Sequence, residues 1–338
     1  MDGVLLTMTK MLQYVIAKII HRFVTLILVI VLIYVLMRSV PGTPFDVLLY
    51  ERKITYEQYE ELCKEWGYRD DVLTGLSKVI VGSLTLSLFK HRSPITHRIV
   101  IEEITWRLVN TMGLVLSAFV FGAMGGMLLG MVVTRIHGRK SELAVLWGAL
   151  LYRSLPVFWL GMVFLYIFAQ ILKWFPFTAM PKWGAALQYV PPNVFVFTID
   201  WFWRSLLPLI CLSKISMIAY LFTIRNMMLD ELANDYVVTM RAVGYDDRTL
   251  LEHGVLRCIL PPVITMMAID LGFLVSGAVV TETVFEYPGM GTLIYEAIMG
   301  KDFVTVVASF YIVSFAVIVS VTIAEILYAY IDPRIRRG

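Results

Sequence analysis

The sequence predicts an all-α, polytopic membrane protein with six transmembrane helices. Two observations carry that expectation. Hydrophobic residues make up 59% of the chain and charged residues 16%, with a mean hydropathy of +0.75, whereas soluble domains carry about 25% charged residues. The apolar residues also gather into runs near Phe23–Met37, Leu108–Val133, Leu143–Leu172, Leu206–Ile224, Ile259–Val280 and Val304–Ala329, and a bilayer crossing needs about 20 such residues.

Taken in order, the first run is short, but Lys18, His21 and Arg22 can snorkel at its start. No small-residue cleavage site comes after it, so it reads as a span and not as a cleavable signal peptide. Residues 45–103 form an extracytoplasmic segment with a polar helix over Tyr56–Trp66 and an apolar stretch over Val72–Phe89. It reads as a lid or brace, or as a contact for an external protein. The expected organisation is therefore 1–44, the N-terminal end and first span; 45–103, the external segment; and 104–338, a five-span core with a cytoplasmic loop at about 226–257. The second run carries Ala118, Gly122, Gly126 and Gly130 at four-residue spacing, a stripe without bulk that lets another helix approach and slide. Ala268, Gly272 and Ser276 repeat the stripe more weakly in the fifth run. Trp174, Trp183, Trp201 and Trp203 fall at the outer ends of runs three and four, as an interfacial aromatic belt does.

Between the fourth and fifth runs lies a charged, amphipathic segment. Leu229, Leu232, Ala233, Tyr236, Val237 and Met240 recur at helical spacing, with Asp230, Glu231, Asn234 and Asp235 opposite. This predicts one surface helix whose apolar face meets a partner. Gly244 comes after a last turn carrying Arg241, as a left-handed helix stop does, and Asp246 or Asp247 can cap a second helix through Arg248, Leu251 and Leu256 to Pro261-Pro262.

Basic residues set the orientation. Lys10, Lys18 and Arg22, then Arg135, Arg139 and Lys140, then Arg334, Arg336 and Arg337 all fall on one side, which with six spans is the cytoplasm, together with both termini. The net charge of +3 thus reports topology, and no basic patch interleaved with aromatics points to nucleic acid. Cys63 is placed outside, Cys211 in span four and Cys258 at the start of span five, so no disulfide pair is expected. The five histidines are scattered, so no metal site is expected. No phosphate loop, G-x-S-x-G, H-E-x-x-H or C-x-x-C occurs, which leaves no catalytic residue to nominate.

Several motifs then converge on one family. Asp235-Tyr236-Val237-Val238-Thr239-Met240-Arg241-Ala242-Val243-Gly244 resembles the D-Y-V-x-T-x-R-A-x-G docking segment of permease subunits in the dipeptide/oligopeptide branch of ATP-binding-cassette (ABC) importers. Val40-Pro41-Gly42-Thr43-Pro44 is similar to the branch's P-G-D-P, with Thr43 in place of the acid. Ser154-Leu155-Pro156-Val157-Phe158-Trp159-Leu160-Gly161, Glu282-Thr283-Val284-Phe285-Glu286-Tyr287-Pro288-Gly289-Met290-Gly291 and Tyr328-Ala329-Tyr330-Ile331-Asp332-Pro333-Arg334-Ile335-Arg336 match three more of its motifs in order. The resemblance implies a type I permease core in the cell membrane and a second homologous permease subunit. It also implies two ABC ATPase subunits that bind ATP and Mg, an extracytoplasmic binding protein, and surrounding lipid. This chain itself would hold no cofactor. Leu232, Asp235, Tyr236, Thr239, Met240, Arg241, Ala242, Gly244 and Asp246 would form the ATPase-docking loop. The solute would be a peptide, an oligosaccharide, a nickel chelate or glutathione.

Ionisable residues inside spans are costly unless they face protein or water. Asp270 lies near the middle of the fifth run and either lines the translocation path, together with Ser276, or holds a buried hydrogen-bond partner. Glu282 and Glu325 fall near span ends, where capping or pairing explains them. An ion-coupled secondary transporter using Asp270 is the competing class. It would not need an exposed helix pair, and it would show inverted repeats or broken helices, neither of which the sequence makes visible.

Overall fold

The computed structural model describes residues 2–43, 45–65, 68–93, 98–179, 194–246, 249–273 and 278–331, with side chains left out at 2–19, 65, 194–197, 252–253, 268–269, 271–273 and 323–331. The described chain is helical. Its helices are α1 (Asp2–Ser39), α2 (Phe45–Tyr50), α3 (Tyr56–Glu65), α4 (Val72–Leu84), α5 (Val100–Arg135), α6 (Lys140–Ser154), α7 (Val157–Phe164), α8 (Val194–Leu232), α9 (Asp235–Ala242), α10 (Leu256–Phe273), α11 (Val279–Val284), α12 (Met290–Met299) and α13 (Phe303–Ile331). Among the described residues four helical stretches are long and apolar enough to cross a membrane: Ile20–Ser39, Val100–Arg135, Thr198–Leu232 and Phe303–Thr322. The expected third span is broken. α6 and the run Val157–Ile171 meet at 97°, and they make a fifth crossing if taken together. Pro156 lacks an N–H and restricts the residue before it, which ends α6 at Ser154 and leaves Leu155 extended at ψ 131°. The expected fifth span is a shorter apolar helix, Leu256–Met267 within α10, among the described residues.

The chain divides into two compact units, Met1–Leu108 with Leu293–Ile318, and Val109–Thr292 with Val319–Gly338. In the first, side-chain hydrogen bonds fix the starts of α2 and α3, the second of them as a reciprocal capping box. The Thr43 amide and hydroxyl each donate to Asp46 at 2.7 Å, and the Thr55 amide donates to Gln58 at 2.9 Å while the Gln58 amide donates back to Thr55 at 3.3 Å. The Tyr59 hydroxyl also donates to Asp46 at 2.8 Å. Although burial opposes it, these hydrogen bonds from Thr43 and Tyr59, with Lys301 nearby, hold the Asp46 carboxyl below its ordinary value of 3.8. Gly42 is required in the turn at φ +94°, where a Cβ would lie 2.5 Å from Asp46 Oδ2. Residues 41–93 are tied to the C-terminal part of their unit. Ser93 donates to Asp302 at 2.5 Å, Phe89 packs on Tyr311 at 5.6 Å, and Lys301 donates to the Pro41 carbonyl at 2.9 Å. Cys63, placed outside the membrane by the sequence, has a buried side chain.

In the second unit the glycine stripe of α5 lies directly on α8, as its spacing predicts. A Cβ on Gly122, Gly126 or Gly130 would sit 2.4, 2.3 or 2.9 Å from the carbonyl oxygens of Ser213, Met217 and Leu221. Those oxygens are backbone, so only glycine permits this approach. The weaker stripe falls on side chains at 268 and 272, and on Ser276, outside the described set. Of the four tryptophans, Trp203 stacks on Phe175 at 4.6 Å and Trp174 packs on Phe168 at 5.9 Å, while Trp201 lies against Gly113; Trp183 is outside the described residues.

Candidate functional site

α8 does not run on through the amphipathic segment from Leu229 to Met240. It stops at Leu232, and Asn234, extended at φ −76° and ψ 148°, starts α9. The helix expected from Leu229 to Met240 is therefore two helices: the backbone of Asn234 is extended, as at an N-cap, with no side-chain capping hydrogen bond, and the apolar spacing continues across the break. Leu232 belongs to the end of α8, and Asp235 opens α9. α9 closes in a full Schellman motif. The Gly244 amide donates to the Arg241 carbonyl at 3.0 Å, the Tyr245 amide reaches back to the Met240 carbonyl at 3.1 Å, and Gly244 has φ +95°.

Asp246 caps the next helical turn. The Thr249 amide donates to its carboxylate at 3.4 Å and the Leu250 amide to its carbonyl at 3.0 Å. A π-helical turn, Leu250–Val255, then runs straight into α10. The second loop helix was expected to end at Pro261-Pro262; instead both prolines lie inside α10. A neighbouring wide turn is the kind of local adjustment by which a membrane helix accommodates proline.

The face that packs is also different. Val237 is buried with Met228, Leu250, Leu251, Val255 and Ile259, and Tyr236 and Met240 lie against this cluster. A Cβ on Gly254 would be 3.1 Å from Met240 Sδ and 3.8 Å from the Tyr236 ring. The apolar face of Tyr236, Val237 and Met240 is thus used to fold the loop on itself. What remains open is Val238, Val243 and Tyr245, at 64%, 73% and 49% exposure, flanked by exposed Thr239, Arg241, Ala242 and Asp246. The sequence reading missed these three apolar residues because it assigned the helix one apolar face; three large apolar residues left over around the glycine turn were the available signal.

Asp270 has a partner within its own chain. The Tyr220 hydroxyl donates to its Oδ2 at 2.8 Å, and Tyr220 is fully buried, edge-on to Phe119. Ser276 lies outside the described residues. Glu282 is a buried cap. It accepts from Thr111 Oγ1 at 2.7 Å and from the Gly291 and Thr292 amides at 2.6 and 3.2 Å, at the start of α12. The Pro288-Gly289-Met290-Gly291 motif fits around that carboxylate, since a Cβ on Gly289 would lie 2.3 Å from Glu282 Cδ and one on Gly291 2.4 Å from Val279 Cα. The Glu325 side chain is outside the described set. Among the described residues no cluster of three or more His, Cys, Asp or Glu could hold a metal ion.

The loop around Gly244, Asp270 and Glu282 all fall within residues 126–337, more than half of the chain, and this region matches a family profile described as "Binding-protein-dependent transport system inner membrane component". The whole chain is also similar to the oligopeptide transport system permease protein AppB of Bacillus subtilis, at 28% identity over 330 residues, 96% of this chain and 99% of the relative. It is 29% identical over 321 residues to the di/tripeptide transport system permease protein DppB of Pseudomonas aeruginosa, covering 91% of this chain and 94% of the relative. The glutathione transport system permease protein GsiC of Escherichia coli O6:H1 matches at 28% over 340 residues, 96% of this chain and 99% of the relative. An all-helical, apolar chain with an exposed helix–glycine–helix loop and this profile belongs to the family of inner-membrane components of binding-protein-dependent transport systems.

Proposed function

We propose that this chain is the permease subunit of an ATP-driven importer, moving peptides or a related small solute such as glutathione handed over by an extracytoplasmic binding protein. It pairs with a second homologous permease, and two separate ATPase subunits hold ATP and Mg. The observation that carries the mechanism is the loop of α9, Gly244 and Asp246, which folds its own apolar face inward and leaves Val238, Val243 and Tyr245 outward. These three are the contact for the ATPase, and Tyr236 and Met240 hold them in place from behind. The substrate reading rests on the named relatives, two of which carry peptides and one glutathione. Asp270, bonded to Tyr220, is proposed to border the path.

The test is recovery of the ATPase on a tagged permease. Val243→Asp and Tyr245→Asp, which charge the outward face, should insert normally and retain less than a tenth of the native ATPase, with uptake into vesicles lost in step. Native recovery and native uptake in both would refute the docking assignment. ATP-independent uptake driven by an ion gradient would replace the importer class itself. Mass spectrometry of the ligand that co-purifies with the binding protein checks the solute, and an oligosaccharide there would overturn the peptide reading. Orientation, with both termini in the cytoplasm, is checked by an impermeant maleimide on intact cells. Cys63 cannot serve because it is buried, so a cysteine at exposed Tyr56 should label and one at Asp246 should not.

A further inference from the structure

Lys214 lies in the fourth apolar run and is only 2% exposed. Its ammonium donates to the Leu155 carbonyl, and its Nζ lies 5.2 Å from the centroid of the Tyr152 ring. Among the described residues no carboxylate pairs with it, so it is a buried cation answered by a carbonyl and an aromatic face. The place it reaches is the break in the third span. α6 ends there, the last carbonyls of a helix have no intrahelical donor, and Pro156 supplies no N–H. Ser154 Oγ donates to the Leu151 carbonyl at 2.7 Å and Lys214 to that of Leu155, while across the break Cys211 Sγ, one turn earlier on α8, donates to the carbonyl of Val157, the first residue of α7, at 3.3 Å. A cation is also the favoured charge at a helix C-terminus.

The other end of α6 is held by the same neighbour. Arg225 of α8 donates from Nε to Glu142 Oε1 at 2.8 Å, and Glu142, buried in the first turn of α6, also accepts from the Gly138 amide at 2.7 Å. Lys214 and Arg225 are eleven residues apart on α8, roughly 16 Å, and their targets Leu155 and Glu142 are roughly 20 Å apart along α6. Two charged groups on one helix therefore grip both ends of the next. α8 in turn leads within two residues into α9.

We propose that Lys214 is a positioning residue for transport. It fixes the bend of the third span and, with the Arg225–Glu142 pair, clamps α6 to α8. α6 then moves as one body with the helix that enters the docking loop, and the bend at Leu155–Pro156 keeps its angle while it does so. The proposal rests on the docking role given to that loop. An ammonium at 2% exposure is not open to solute, and an apolar side chain would fill the site without desolvating a charge. Holding freed carbonyls is what the charge accomplishes there.

The assembled transporter in nanodiscs tests this, with spin labels on cysteines at the exposed positions Trp147 of α6 and Tyr166 beyond the bend, and with Cys63 and Cys258 replaced by serine. Native protein should give one narrow label-to-label distance with and without ATP. In Lys214→Met that distribution should broaden or split, and solute moved per ATP hydrolysed should fall at least tenfold while the ATPase still co-purifies. Lys214→Arg should restore a single distance and at least half of the coupling. Should the Met variant not be recovered, Lys214→Gln, which keeps a donor without charge, is read by the same outcomes. An unchanged distance together with native coupling in the Met or Gln variant overturns the proposal, as does ATPase loss with an unchanged distance. Failure of the docking reading is seen separately, in normal ATPase recovery by Val243→Asp.

Discussion

Gly244 gives the sharpest test of the loop. Its amide and that of Tyr245 close α9 at φ +95°, and nothing lies within 4 Å of the point where a Cβ would stand. The cost of a side chain is therefore all backbone, with no clash added. For an L-residue in left-handed conformation that cost is about 1–2 kcal/mol, least for Asn and greatest for a β-branched residue. If only the closed loop binds the ATPase, its apparent affinity falls with the population of that form. At 1.4 kcal/mol per tenfold, losses of about 1 and 2 kcal/mol correspond to roughly 5-fold and 30-fold. These are upper limits, since the packing of Met240 and Tyr236 on the π turn opposes opening. Affinity of the ATPase, measured by titration onto immobilised permease in nanodiscs, should fall in the order Gly, Asn, Ala, Val, with the amount of inserted protein constant. An Asn variant worse than Ala, or a Val variant equal to wild type, would refute the claim that a left-handed helix stop positions the contact.

Four further outcomes rest on the geometry. Gly126→Ala should destabilise the detergent-solubilised protein by about 1–3 kcal/mol or more by driving a Cβ into the Met217 carbonyl, whereas Gly148→Ala, with nothing within 4 Å, should be neutral or stabilising; thermal unfolding of both is the check. Glu282→Ala strips the acceptor from Thr111 and from the Gly291 and Thr292 amides and should cost about 3–5 kcal/mol, while Glu282→Gln, which can still accept from the amides, should cost less by the same assay. Because Asp46 has a lowered folded-state pKa, the stability it contributes is present above its ordinary value of 3.8 and is lost as pH falls below it; Asp46→Asn should flatten the melting temperature between about pH 5 and pH 3 relative to wild type. Asp270→Asn should keep the Tyr220 hydrogen bond and complex assembly yet change uptake if the charge borders the path, and unchanged uptake at every solute level would leave Asp270 a packing residue.

What the sequence made legible and what it did not divide along a physical line. The apolar runs, the glycine stripe of α5 and the glycine stop at Gly244 each reflect one local constraint: burial of a run in lipid, absence of a Cβ against a backbone, or a positive φ. The glycine stripe and the glycine stop stand in the structure where their residues put them, as do the first, second, fourth and sixth apolar runs, while the third run is bent and the fifth is a shorter helix among the described residues. The errors arose where a local pattern is compatible with two tertiary partners. Tyr236, Val237 and Met240 form a real apolar face, but periodicity says only that the face is covered, not whether the cover is another subunit or the chain's own π turn. Apolar spacing also runs unbroken from Leu229 to Met240 although Asn234 breaks the helix, because a short break can preserve a stripe. Pro156 was visible, yet a proline can kink a span or end it, and the 97° bend is maintained by Lys214 and Cys211, which lie 59 and 54 residues in sequence from the carbonyls they hold. Lys214 itself was within reach of the argument applied to Asp270, since both are ionisable groups in apolar runs. A lysine passes as a snorkelling side chain unless the break that it caps is known, and that break is a property of the third span, not of the helix that carries the lysine.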